Sequence, residues 1–161
     1  MKTLIAVYAK TEFPKNIALA IQEVFQAHGW DSEIQEIVPV KKLKEYEYSK
    51  LESIDLKNSN LNIREYDLIV LGSEIWSFEP SKVLLTYIKK LQNSKNKNFA
   101  VYVTCILPGT SLKKISNVLT TQSAKVLETA SFRSFFANDK AKLKEAKQFA
   151  EKLVASYPSS R

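Results

Sequence analysis

Three short segments of this chain are apolar without a break: Leu4-Ile5-Ala6-Val7-Tyr8, Leu68-Ile69-Val70-Leu71 and Phe99-Ala100-Val101-Tyr102-Val103. A strand with one face in water alternates apolar and polar residues. A strand that reads apolar throughout has both faces covered, as in a parallel sheet held between two helical layers. Between these runs the apolar residues change to helical spacing. Ile17, Ile21, Val24, Phe25 and His28 form one stripe, which Gly29 stops. Leu84, Tyr87, Ile88 and Leu91 form a second, and Leu112, Ile115 and Leu119 a third. Leu143, Ala146, Ala150, Leu153 and Val154 form a fourth, ahead of Pro158. Glu33–Val38 and Lys125–Phe132 are β-rich but more polar, and are expected at the two edges of the sheet. A short helix is expected near Lys41–Leu51, followed by a polar loop reaching Arg64.

Strand and helix therefore alternate along one domain, residues 1–161. Alternation favours a parallel sheet with helices on both faces. Right-handed crossovers then restrict the topology to a doubly wound five-stranded parallel α/β sheet, with strand order 2-1-3-4-5 as the leading choice. Ligands in such sheets sit beyond the carboxyl ends of the strands. The informative loops are those after the first, third and fourth strands.

Composition closes off other classes. One cysteine permits no internal disulfide, and one histidine permits no multi-histidine metal site. No metal ligand set and no hydrolytic motif is present. The net charge of +7 allows an anionic ligand, an acidic partner or nucleic acid without demanding any, and no nucleic-acid motif is present. No apolar stretch approaches the ~20 residues of a membrane span, and the run Leu4–Ala9 is short for a signal peptide. The expectation is a cytoplasmic protein. Lys82, Lys89, Lys90, Lys95 and Lys97 form an acid-free run expected to face water. Cys105 reads as a small core residue and His28 as a helix-terminus residue.

Three blocks, in order and spacing, resemble flavodoxins: Met1 to Thr11, Tyr66-Asp67-Leu68-Ile69-Val70-Leu71-Gly72-Ser73-Glu74-Ile75-Trp76, and Val103-Thr104-Cys105-Ile106-Leu107-Pro108-Gly109. The resemblance implies a flavodoxin-like fold and FMN as cofactor. It implies cofactor-binding roles for Lys10, Thr11, Lys15, Ser73, Trp76, Thr104, Cys105 and Gly109. Lys10, Lys15 and Thr11 would hold the phosphate, Trp76 would cover the ring, and residues 104–109 would line the pyrimidine.

The first loop departs from the family. Flavodoxins carry a hydroxyl-rich Ser/Thr-x-Thr-Gly-x-Thr turn there, whereas this chain has Ala9-Lys10-Thr11-Glu12-Phe13-Pro14. Only Thr11 keeps a hydroxyl, Pro14 has no N–H, and Glu12 brings negative charge toward a phosphate. The same loop also reads as a plain helix start, with Pro14 in the first turn and Thr11 or Glu12 as cap. In the second loop Glu74 replaces the usual proline, a carboxylate at the rim that would disfavour an anionic reduced flavin.

Two functions follow. One is an FMN-binding, flavodoxin-like oxidoreductase in electron transfer or small-acceptor reduction, its partner a redox protein or a small molecule. The other is a flavin-free binding or regulatory module on the same fold, suggested by the altered loop, the three glycines of the whole chain and the basic charge.

Overall fold

The computed structural model describes residues 1–57, 60–75, 78–106 and 109–157. The main sheet comprises β1 (Lys2–Tyr8), β2 (Asp31–Glu36), β5 (Leu68–Glu74), β6 (Asn98–Cys105) and β7 (Lys125–Arg133). Its order is β2-β1-β5-β6-β7, and every neighbouring pair is parallel. This is the expected 2-1-3-4-5 winding: the three apolar runs are central and the two polar segments lie at opposite edges. Helices α1 (Phe13–Ala27), α3 (Lys82–Lys90), α4 (Ser111–Thr121) and α5 (Lys140–Ser156) fill the connections.

Strand parity sorts the core into two layers. Leu4, Ala6, Ile69, Leu71, Val101 and Val103 face α3 and α4, which contribute Val83, Leu84, Tyr87, Ile88, Ile115 and Leu119. Ile5, Val7, Leu68, Val70, Ala100 and Tyr102 face α1 and α5, which contribute Ile17, Ile21, Phe25, Phe149 and Leu153. Gly72 continues the second row. A Cβ there would stand 2.1 Å from Cζ of Tyr102, so the missing side chain is what admits the Tyr102 ring. The Tyr102 hydroxyl then donates to the carbonyl of Pro14 at 2.8 Å, tying β6 to the first turn of α1.

The stop at Gly29 is geometric. Gly29 takes φ of +73°, its N–H bonds the Gln26 carbonyl, and the Trp30 N–H bonds the Phe25 carbonyl. This is a Schellman cap, and Trp30 stacks on Phe25 with centroids 4.9 Å apart. His28 closes the helix and meets Glu151 at 2.9 Å.

Two expectations are corrected. The helix expected near Lys41–Leu51 is a single turn, α2 (Glu45–Tyr48), and within the expected polar loop lies strand β4 (Leu56–Lys57), antiparallel to β3 (Val38–Pro39). Two-residue strands leave too little alternation to be read from sequence; long-range backbone bonds such as Val40 N–H to Asp55 O make them. The lysine run is also not simply a solvated face. Lys82 donates to the carbonyls of Ser49 and Leu51, Lys90 to Ile54, and Lys97 to Arg64 and Tyr66. Three ammonium groups thus tie the stretches 49–54 and 64–66 to the body of the domain by serving carbonyls outside regular ladders.

Candidate functional site at the carboxyl edge

Strands β1, β5 and β6 end together: Tyr8 lies beside Ser73, and Glu74 beside Thr104. Past them a cleft of about 290 Å³ opens, floored by Glu74, Thr104 and Cys105, and walled by Phe13, Ile75, Ile106, Phe135 and Phe136. Phe135 and Phe136 are 78% and 74% exposed, and Phe78 and Ile106 about half. Such a concentration of bare apolar side chains at one end of the sheet marks a place where something apolar docks.

Glu74 is the residue on which the site turns. It continues the row Leu68, Val70, Gly72 toward α1, is only 8% exposed, and reaches the loop between β1 and α1. One carboxylate oxygen accepts from the Lys10 N–H at 2.7 Å and the Thr11 N–H at 3.2 Å. The other accepts a short bond from the Thr11 hydroxyl. Two successive main-chain amides and a hydroxyl before a helix are the elements of an anion cradle. Here the chain fills that cradle with its own carboxylate.

The sequence-expected residues divide accordingly. Thr11 is in the cradle through backbone and side chain. Lys10 is there through its N–H alone. Its ammonium turns away to the Leu43 carbonyl at 2.8 Å and Glu45 at 3.2 Å, over the Tyr48 ring. Lys15 pairs with Glu36 at 2.8 Å, and that bond raises its pKa. The ammonium groups expected to converge on a phosphate are here engaged by carboxylates on α2 and β2. Ser73 is buried and donates to the Glu74 carbonyl at 3.2 Å. Cys105 is buried beside the Ser131 hydroxyl, at 3.4 Å. Thr104 is 1% exposed and its Oγ1 has no partner among the described residues. Gly109 allows close packing of two loops: a Cβ there would stand 2.9 Å from the Phe78 carbonyl oxygen. That same oxygen accepts from the Ser111 hydroxyl, and Phe78 itself holds φ of 62°. Trp76 lies outside the described residues.

Glu12 occupies the cap position of α1 in a helical conformation, with no side-chain cap bond. Neither Thr11 nor Glu12 caps the helix by side chain, since the Thr11 hydroxyl is spent on Glu74. Sequence reasoning placed Glu74 at the rim. Parity counted forward from Leu68 places it in the row facing the start of α1.

Beside the cradle, the Tyr8 hydroxyl donates to Glu45 at 2.6 Å. Burial first, and then Glu45, push its pKa well above the ordinary tyrosine value. A second cavity of about 650 Å³ lies against this cluster, lined by Lys10, Lys15, Lys42, Lys44, Glu36 and Glu47 among others. A further cavity, about 840 Å³, lies at the opposite end of the sheet around Trp30, Asp67 and Asn98, away from the strand carboxyl ends. Among the described residues no helix is long and apolar enough to cross a membrane, and no group of three metal-ligating side chains occurs.

No family model matches the chain, and no curated protein matches it in sequence. Solved structures do. It is similar to a flavodoxin from the domain Archaea, at 15% identity over 97% of this chain and 98% of that one, with TM-score 0.62. It is similar to two-electron reduced Megasphaera elsdenii flavodoxin, at 17% identity, 92% and 98% coverage and TM-score 0.64. It is similar to a flavoprotein from Lactobacillus acidophilus NCFM in complex with FMN, at 20% identity, 89% and 97% coverage and TM-score 0.61. With strand order, parallel pairing and near full-length coverage in agreement, the chain has the flavodoxin fold.

Proposed function

We propose that the chain binds a flavin in the carboxyl-edge cleft, with FMN as the expected form, and works in electron transfer or reduction of a small acceptor. The observation that carries this reading is the cleft itself, apolar-walled and lying where β5, β6 and β7 end, with Thr104 in its lining and the Thr104 hydroxyl without a partner among the described residues. A planar ring system with polar edge atoms suits such a place: Ile75, Ile106, Phe135 and Phe136 would exclude water from its faces, and Thr104 Oγ1 would bond its edge. A bound flavin would supply the redox chemistry, with the protein orienting and shielding it. A role for Trp76 beside the ring belongs to the same reading. The Lactobacillus acidophilus structure holds FMN in this fold, which supports it.

The ring end of FMN fits these residues. The phosphate end does not, because the donors that would receive it already hold Glu74. That filled cradle favours the second reading, a flavin-free module that docks a partner on Phe78, Phe135 and Phe136.

Fluorescence titration of riboflavin and FMN separates the two. Quenching of either with a dissociation constant in the micromolar range supports the flavin reading. Absence of quenching by both at high micromolar protein overturns it in favour of the docking module.

A further inference from the structure

The loop between β1 and α1 turns three donors toward one point, and one carboxylate takes them all. The Lys10 and Thr11 amides converge on Oε2 of Glu74 and the Thr11 hydroxyl bonds Oε1. The carboxylate is intramolecular and nearly sealed from water, so it is present at high effective concentration wherever the domain is folded. The ammonium groups of Lys10 and Lys15 are each paired with another acid. Both ammonium groups are thus engaged by other acids and not held for a second anion at this point.

We infer that Glu74 is a specificity-determining residue: it acts as a built-in competitor for the phosphate of any ligand entering the cleft. A phosphomonoester must displace the carboxylate from three charge-assisted bonds or stand beside it as a second anion. A phosphate-free ligand does neither, and beside Glu74 in the sheet the Thr104 hydroxyl has no partner among the described residues. The cleft therefore gives a phosphate group no advantage. Removing the carboxylate releases two amides and a hydroxyl ahead of a 15-residue helix, whose N-terminal dipole favours an anion. The inference rests on the flavin reading for its choice of ligand, and not for the competition itself.

The test compares the wild-type chain with Glu74→Ala and Glu74→Gln, the glutamine keeping side-chain shape where alanine leaves a void. Riboflavin and FMN are titrated against each. Wild type is expected to bind FMN no tighter than riboflavin. Each variant is expected to gain about tenfold or more for FMN while riboflavin affinity stays within about threefold. A wild type that already prefers FMN by about tenfold, or variants that leave the FMN-to-riboflavin ratio unchanged, overturns the inference. Inorganic phosphate gives a readout free of any flavin. The Lys10 and Thr11 amide resonances should move with added phosphate in both variants and stay fixed in wild type. Phosphate-sensitive amides in the variants without flavin binding would leave Glu74 as the internal competitor and end the flavin reading. Amides that ignore phosphate in all three proteins would end the inference.

Discussion

Gly72→Ala tests how the site is anchored. Gly72 and Tyr102 are direct neighbours across β5 and β6, and the Tyr102 ring covers the space above Gly72. An added methyl would lie 2.1 Å from Cζ and 2.2 Å from the hydroxyl oxygen, so the ring must leave. It has nowhere easy to go: Tyr102 is 0% exposed and packs edge-on to Phe132 with centroids 6.0 Å apart. Overpacking costs about 1–3 kcal/mol. Breaking the buried bond to the Pro14 carbonyl adds about 1–3 kcal/mol. Together the loss is about 2–6 kcal/mol, which for a chain of this size lowers the melting temperature on the order of 10 °C. Urea unfolding followed by circular dichroism reads it. Tyr102→Leu should relieve the clash, so Gly72→Ala with Tyr102→Leu should be less destabilised than the sum of the single changes, by about 1 kcal/mol or more. A Gly72→Ala chain within about 0.5 kcal/mol of wild type, or strictly additive losses, would refute the argument that Gly72 is present to admit Tyr102.

Alkaline stability should report the same ring. Burial raises the Tyr102 pKa in the folded state above its unfolded value near 10, so its contribution is intact below pH ~10 and is lost as pH rises toward the folded value. The stability of wild type should fall above pH 10 more steeply than that of Tyr102→Phe, by about 1.4 kcal/mol per pH unit. Equal slopes in urea titrations at several pH values would contradict this. Glu12→Gly should change stability by less than about 0.5 kcal/mol, since the Glu12 side chain is exposed and caps nothing. A loss near 1 kcal/mol would show a cap bond that the geometry lacks. Ser81→Ala should cost about 1 kcal/mol in the same assay, because the Ser81 hydroxyl accepts the Val83 N–H at the start of α3.

Much of the fold is written locally. Leu4–Tyr8, Leu68–Leu71 and Phe99–Val103 announce covered strands because no other environment hides apolar residues on both faces of a strand. Gly29 announces the end of α1 because the left-handed cap suits a residue without Cβ. Much of the site is not. Thr11 and Gly109 were legible as loop residues at the carboxyl edge and Thr104, at the end of β6, as their neighbour, but the partners of Lys10 and Lys15 were not, since Glu45 and Glu36 come from other elements. The small hairpin of β3 and β4 was hidden for a similar reason: its pairing joins segments 17 residues apart through backbone bonds that carry no side-chain pattern.

The sequence by itself determined the class of the fold, made 2-1-3-4-5 the leading strand order and pointed to the carboxyl ends of the strands as the expected end for a ligand. Periodicity and the handedness of crossovers depend only on short stretches of chain and on the chirality of its residues. Tertiary structure decided what the first loop does. A glutamate two residues past Gly72 is only a carboxylate in the sequence. In the sheet, the register of β5 against β1 sets Ser73 beside Tyr8, and strand parity turns Glu74 toward α1, into bonding distance of the Lys10 and Thr11 amides. Residues 63 and 64 positions apart in the chain thus form one filled anion cradle, because hydrogen bonds act over about 3 Å in space whatever the separation along the backbone.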